Sequence, residues 1–370
     1  MKPKVIGLYL PQFYPTPTNN KWWGEGHTEW KNVGKAKKWF PGHYQPRVPA
    51  DLGYYDLRVP ETREKQVELA KKAGLYGFCY YHYWFGNGHE ELELPFDEVL
   101  KSGKPNFPFM LCWANQSWEK KFWDPYVDLP DGLNSIIVPQ TYPGIDDDIN
   151  HFYRLLPAFK DSRYIKLKGK IAFMILRPYE IPDIESFISL WQELAHKEGL
   201  PGFHFIAEEM GTPNHDTLKK YENQGFDAMN LISLGIARSK LENKFLRKHF
   251  DIYGRKFHLP FPIKYKQIYP LFKNELDIEE NVYPSLIPNW DHTPRSGKYG
   301  FLIHDSTPDL WRKHIVDMFS NVKGKKEPIL FLKSWNEWAE GNYIEPDIRF
   351  GSKYIDVLRE EIDKFDNKNL

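Results

Sequence analysis

Two glutamates three residues apart, Glu337 and Glu340, stand in the segment Phe331-Leu332-Lys333-Ser334-Trp335-Asn336-Glu337-Trp338-Ala339-Glu340-Gly341-Asn342-Tyr343-Ile344-Glu345-Pro346-Asp347. An apolar run ends there, and Trp, Asn and Gly crowd around the two acids. If the chain turns helically after the run, residues at this spacing point the same way. Hydrolysis of a glycosidic bond commonly uses two carboxyl groups about 5–10 Å apart around the scissile bond. Crowding such a pair among aromatics is expected to raise one pKa, keeping one acid protonated near neutrality. The bland alternative is a pair of solvated loop acids, the usual fate of Glu. Three interleaved aromatics argue against it.

The ends of other apolar runs repeat the theme. They supply Tyr9 and Gln12, then Tyr81, His82 and Trp84, then Trp113, Asn115 and Gln116, then Glu208, and finally Trp290 and Asp291, beside Trp335, Asn336 and Trp338 around the acids. Each alone reads as packing or a cap; together they read as a saccharide pocket, since a flat ring beside a hydrogen-bonding group suits a sugar's apolar face and hydroxyl rim. Aromatic residues make up 16% of the chain, with 13 Trp and 22 Tyr, enough for both a core and such a pocket.

The elements that position these residues alternate between short apolar runs and charged amphipathic segments, the pattern of βα units on a parallel sheet. Strands are predicted at Val5–Leu10, Gly77–His82, Phe109–Trp113, Ile171–Leu176, Phe203–Ala207, Ala228–Ile232, Ser285–Trp290 and Ile329–Trp335. Helices are predicted at Thr62–Ala73, Asp147–Leu156, Ile184–Lys197, Asp216–Glu222, Pro308–Ser320 and Ser352–Phe365. Eight strands predict an α/β fold, a single (β/α)8 TIM-type barrel spanning residues 1–370 as one catalytic domain. Long insertions near 11–60, 114–143 and 233–284 follow strands, so they open on the C-terminal face, where barrel active sites are built. The last insertion carries a basic cluster of Arg238, Lys240, Lys244, Arg247, Lys248, Arg255, Lys256, Lys264 and Lys266.

Fifty basic and fifty acidic residues give a formal net charge of +0, so nothing global favours nucleic acid or an anionic membrane. No run of about 18 apolar residues predicts a membrane span. Cys79 and Cys112 lie in apolar runs and read as buried structural thiols. No His pair at helical spacing with a carboxylate and no Cys quartet is present, and no glycine-rich nucleotide loop follows a strand, so no metal and no cofactor are expected. Met1-Lys2-Pro3-Lys4 leads straight into a strand without an apolar leader, which predicts a cytoplasmic location. Sequence leaves the oligomeric state open.

Several motifs together resemble the WbsX-like family of polysaccharide-locus proteins. They are Tyr9-Leu10-Pro11-Gln12-Phe13, Tyr54-Tyr55-Asp56-Leu57-Arg58, Gly77 to Trp84, Cys112-Trp113-Ala114-Asn115, Gln140-Thr141-Tyr142-Pro143-Gly144, Asn289-Trp290-Asp291 and Trp335 to Gly341. That family is similar to glycoside hydrolase family 99, the endo-α-mannosidases and mannanases, which carry an N-E-W-x-E-G segment matched here by Asn336 to Gly341. The resemblance implies a metal-independent barrel and retaining hydrolysis. Glu337 would deprotonate the sugar 2-hydroxyl, which attacks the anomeric carbon to give a 1,2-anhydro intermediate. Glu340 would protonate the leaving oxygen and then activate water. Gln116 departs from the acidic residue that many relatives carry there, which implies a charged pocket contact that is lost here or belongs to a subgroup.

Three readings follow. The first is a retaining glycoside hydrolase or transglycosylase acting on an α-linked glycan, mannose-containing glycans included, with an oligosaccharide or polysaccharide as its partner. The second is a cytoplasmic glycosyltransferase in lipopolysaccharide, O-antigen or other surface polysaccharide biosynthesis. The third is a non-catalytic glycan-binding barrel, which would have no need of a paired acid.

Overall fold

The computed structural model describes residues 2–119, 136–241 and 259–367. Eight parallel strands run in chain order: β1 Lys4–Tyr9, β2 Gly77–Trp84, β3 Phe109–Trp113, β4 Lys170–Ile175, β5 Phe203–Glu209, β6 Ala228–Leu231, β7 Val282–Leu286 and β8 Ile329–Leu332. Each pairs with the next, and β1 also pairs with β8 through Gly7↔Leu332, so the sheet closes into a (β/α)8 barrel. The chain approaches itself tightly where β2 begins. A side chain at Gly77 would put its Cβ 2.5 Å from the Pro108 carbonyl oxygen, so only glycine fits.

Ten helices are used below: α1 Pro17–Trp23, α2 Glu29–Lys35, α3 Pro60–Ala73, α4 Leu94–Ser102, α5 Ile145–Phe159, α6 Ile184–Lys197, α7 His215–Asn223, α8 Leu234–Leu241, α9 Pro308–Val322 and α10 Lys353–Asn367. Local chemistry marks their ends. Pro60 opens α3, Asp183 caps α6 through the Ser186 N–H at 3.1 Å, and Thr307 caps α9 through Leu310. Most of the strand and helix apolar residues form one continuous core. A second, smaller cluster including Tyr265, Phe272, Ile287 and Trp290 lies under the described part of the third insertion.

Seven of the predicted strands fall within a few residues of those observed. The seventh in chain order was expected at Ser285–Trp290. It begins instead at Val282 and includes Pro284, opposite Leu231 of β6. β8 stops at Leu332 rather than Trp335, and the chain then reverses. Helices α4 and α8, and the short α1 and α2 of the first insertion, were not anticipated. Of the basic cluster, Lys244, Arg247, Lys248, Arg255 and Lys256 lie outside the described residues, as does most of the second insertion.

Candidate active site

Beyond β8, Asn336–Glu337 pairs antiparallel with Asn342–Tyr343, and a single 3-10 turn, Trp338–Glu340, joins them. Gly341 closes the turn at φ +59, and a Cβ there would meet the Asp291 Cβ at 2.7 Å. The two glutamates therefore sit at opposite ends of one tight turn. They are not solvated: Glu337 is 5% exposed and Glu340 9%.

Each carboxylate has its own cation. Lys333 Nζ donates to Glu337 Oε2 at 2.7 Å, and the Ser334 hydroxyl donates to the same oxygen at 2.7 Å. Arg295 donates to Glu340 Oε1, with His292 Nε2 3.7 Å from that atom. Burial pushes the Glu340 carboxyl up, but Arg295, His292 and Lys333 together outweigh it and hold Glu340 below the ordinary carboxylate range. The expectation that crowding would raise one of this pair is thus not met at Glu340. Cations brought in from distant segments reverse the sign.

Lys333 is the hub of the barrel mouth. Its ammonium also donates to the Tyr81 hydroxyl at 2.7 Å, on the far side of β1, and lies 5.7 Å from the centre of the Trp290 ring. Burial alone would discharge it, yet Glu337, Glu340 and Glu208 raise its pKa above the ordinary lysine value. Glu208, from the end of β5, is buried and neither carboxylate oxygen has a hydrogen-bond partner among the described residues. Burial, with Glu337 nearby, pushes it up to about 7 against the pull of Lys333.

The first insertion supplies groups that contact Arg295 and Asp291. Glu29 of α2 is fully buried and its Oε2 accepts from Arg295 at 3.0 and 3.3 Å, so Arg295 bridges Glu29 and Glu340. Burial pushes Glu29 up to about 7 despite Arg295. Asp291 accepts from Gln45 at 2.7 Å and Thr293 Oγ1 at 2.6 Å and pairs with His43 at 2.8 Å. Its own N–H donates to the Glu340 carbonyl at 2.6 Å. Burial raises its pKa, but His43 and Arg47 with these donors leave it below the ordinary range.

Of the residues singled out from sequence, Tyr81, Glu208 and Trp290 meet Glu337 and Glu340 around Lys333. Asp291 lies behind Glu340, its carboxylate spent on the insertion. Others, expected in the pocket, face the packing layer outside the barrel wall or are spent on backbone groups. The Tyr9 hydroxyl donates to Gln66 of α3 at 2.7 Å. His82 pairs with His151 of α5 at 2.8 Å, and Trp84 donates to Asp147 of the same helix at 2.9 Å. Trp113 packs on His151 and on Phe187 of α6, and Trp335 packs on Phe78. Asn115 is consumed bonding Tyr142 and both backbone groups of Arg177, while Asn336 bonds both backbone groups of Leu10. Trp338 stacks on Tyr343 at 3.7 Å and donates to Glu345 at 2.7 Å. Gln12 is buried at the junction with α2, its carbonyl accepting from the Glu29 N–H, and Gln116 is half-buried beyond β3. Lys333, Ser334 and Arg295 were missed, and His292 and Glu29 were given no role of their own. Lys333 stood in the motif itself, four residues before Glu337, and that spacing was the available signal.

Among the described residues no group of three or more His, Cys, Asp and Glu side chains is placed to hold a metal ion, and no helix is long and apolar enough to cross a membrane. A cavity of about 30 Å³ beside the site is lined by residues of the first insertion and of the loops after β7 and β8, among them Tyr44, Arg47, Asn289, Tyr343 and Arg349.

Comparison with known proteins places this geometry. The chain is 31% identical over 369 residues to the uncharacterized protein WxcX of Xanthomonas campestris pv. campestris strain B100, covering 97% of this chain and 49% of that relative. Its counterpart in strain ATCC 33913 is 30% identical with the same coverage. The chain thus spans about half the length of the curated relatives it matches. Among solved structures it resembles a GH99 endo-α-mannosidase from Bacteroides thetaiotaomicron, with a TM-score of 0.57 and 16% identity over 99% of this chain and 98% of the other. It also resembles a glycoside hydrolase-like protein, with a TM-score of 0.59 and 15% identity over 98% and 94%. At such identities the likeness is one of fold. The sequence model of the family described as Glycosyltransferase WbsX matches residues 5–358, from the first barrel strand to the last helix, and the chain belongs to that family.

Proposed function

We propose that the chain is a carbohydrate-active enzyme acting on glycans, and that it cleaves or transfers at an α-linked glycosidic bond with retention, through Glu337 and Glu340. The observation that carries this reading is the burial of both glutamates at the barrel mouth, each oriented by its own cation. Water-exposed loop acids need neither burial nor a buried ammonium. Glu337 is the base: it takes the proton of the 2-hydroxyl, O2 forms its bond to C1, and the bond from C1 to the leaving oxygen breaks. Glu340 gives its proton to that oxygen. Water then loses a proton to Glu340 and adds to C1, the C1–O2 bond opens, and O2 recovers its proton from Glu337. The acid role requires Glu340 to take up a proton before the bond breaks. Tyr81, Glu208 and Trp290 line the sugar's approach, the ring of Trp290 meeting an apolar face.

The family description favours a second reading, transfer from a sugar nucleotide during surface polysaccharide assembly in the cytoplasm. One experiment separates the two: an α-linked oligosaccharide panel incubated with the protein, with and without sugar nucleotides, and read by mass spectrometry. Cleavage without nucleotide supports the hydrolase, and nucleotide-dependent extension supports the transferase. Binding without turnover overturns both. If cleavage is found, Glu340→Gln should lose about two to four orders of magnitude on the glycan yet keep activity on an activated aryl glycoside, whose leaving group departs without a proton. Glu337→Gln should lose both.

A further inference from the structure

An acid catalyst held as a carboxylate by a buried arginine cannot donate a proton, and the same arginine has a second carboxylate on its other side. Glu29 reaches Arg295 from α2, a segment more than two hundred residues away in the chain. The contact is made by one oxygen; the other, Oε1, is buried with no hydrogen-bond partner among the described residues. Arg295 thus faces two carboxylates, each of which presents an oxygen to it.

We propose that Glu29 is a positioning residue for Glu340: by sharing the Arg295 guanidinium it governs whether Glu340 is held as a carboxylate or released to carry a proton. This rests on the glycosidase reading of Glu340 and adds to it the origin of its proton. The exchange is balanced, with one proton, two carboxylates and one guanidinium. When Arg295 leans on Glu340, Glu29 keeps the proton; when Arg295 leans on Glu29, that carboxyl ionises and Glu340 takes the proton up. Glu29 has a pKa pushed up to about 7 by burial, so it holds a proton in a useful fraction of molecules near neutrality. Among the described residues, the other titratable groups facing this pair are Tyr81 and Tyr83 from β2, Glu337 from the β8 loop, and His292 and Lys333 on the Glu340 side.

The coupling is reciprocal, so it can be read at Glu29, whose carboxyl is pushed up to about 7 by burial. The protein is labelled with carbon-13 at the glutamate side-chain carboxyls, and the resonance absent from Glu29→Gln is assigned to Glu29. In Glu340→Gln the carboxylate that shares Arg295 with Glu29 loses its charge, and the Glu29 midpoint should fall by about one pH unit, a tenfold change in its proton affinity. Arg295→Lys, which keeps the charge but cannot span two carboxylates, should raise it. Glu337→Gln should move it less than Glu340→Gln does. A Glu29 midpoint that stays the same in Glu340→Gln, or in Arg295→Lys where Glu340→Gln does not fold, overturns the proposal. The titration uses no glycan, so its failure is distinct from a failure of the oligosaccharide screen.

Discussion

Glu208 offers the cleanest test of how the barrel mouth handles charge. It is buried, both its oxygens lack partners among the described residues, and its pKa of about 7 stands about 2.5 pH units above the ordinary 4.5. An acid whose folded pKa is raised holds more protons when folded than when unfolded between those two values. Stability therefore falls as pH rises through that window. At about 1.4 kcal/mol per unit, ionising Glu208 costs the folded state about 1 kcal/mol at pH 5 and about 3 kcal/mol at pH 8. Glu208→Gln removes the charge and keeps the shape. Its unpaired amide carries its own penalty, but that penalty does not change with pH. The stability of the variant relative to the parent should thus improve by about 2–3 kcal/mol between pH 5 and pH 8. The assay is reversible denaturant unfolding of both proteins at the two pH values, comparing midpoints at equal slopes. A difference that is flat with pH would show that Lys333 neutralises Glu208 fully and that the reasoning from burial is wrong.

Three other perturbations follow from the same geometry. Lys333→Met leaves Glu337 without its buried cation and should cost about 3–5 kcal/mol in denaturant unfolding, more than any exposed lysine would. Gly341→Ala forces a side chain into left-handed backbone against Asp291 and should cost about 1–3 kcal/mol, seen as a lowered melting temperature. Tyr9→Phe loses only its bond to Gln66, so it should cost about 1 kcal/mol while glycan turnover stays at the parent level. A large loss of turnover there would return Tyr9 to the pocket.

The barrel was legible because its strands are short apolar runs at βα spacing, and the paired-glutamate segment stood out because its two acids sit among aromatics. The pocket around them was only half legible, for a reason visible in β2. All eight residues from Gly77 to Trp84 are buried, since a parallel strand is covered on both faces. The period of two is then invisible in the sequence. Tyr81 turns inward to Lys333 while its neighbours Tyr80 and His82 turn outward to Phe96 and His151, and one residue of register separates the pocket from the packing layer. Tyr9, Trp84 and Trp113 were misplaced by the same parity, whereas Trp335, two residues past the inward Lys333, packs on Phe78 because the chain has already left β8 at Leu332. Arg295 and Glu29 were out of reach differently: each is an unremarkable charged residue locally, and its meaning comes from a partner that only folding brings near.

The bonds that tie the first insertion to the last loops also set when the site can exist. Leu10 bonds Asn336, Tyr55 bonds Glu345, Glu29 bonds Arg295 and His43 bonds Asp291, across separations of 326, 290, 266 and 248 residues. At a synthesis rate of roughly 5–20 residues per second, Leu10 leaves the ribosome roughly 15–60 seconds before Asn336 does. Through that interval β1 has no β8 to pair with, and the tryptophan-rich stretch behind it has no partner surface. The nascent chain must carry an open sheet edge and uncovered aromatic rings, a burden on chaperones. The paired glutamates come into register only after residue 345 has emerged, so their surroundings are assembled last.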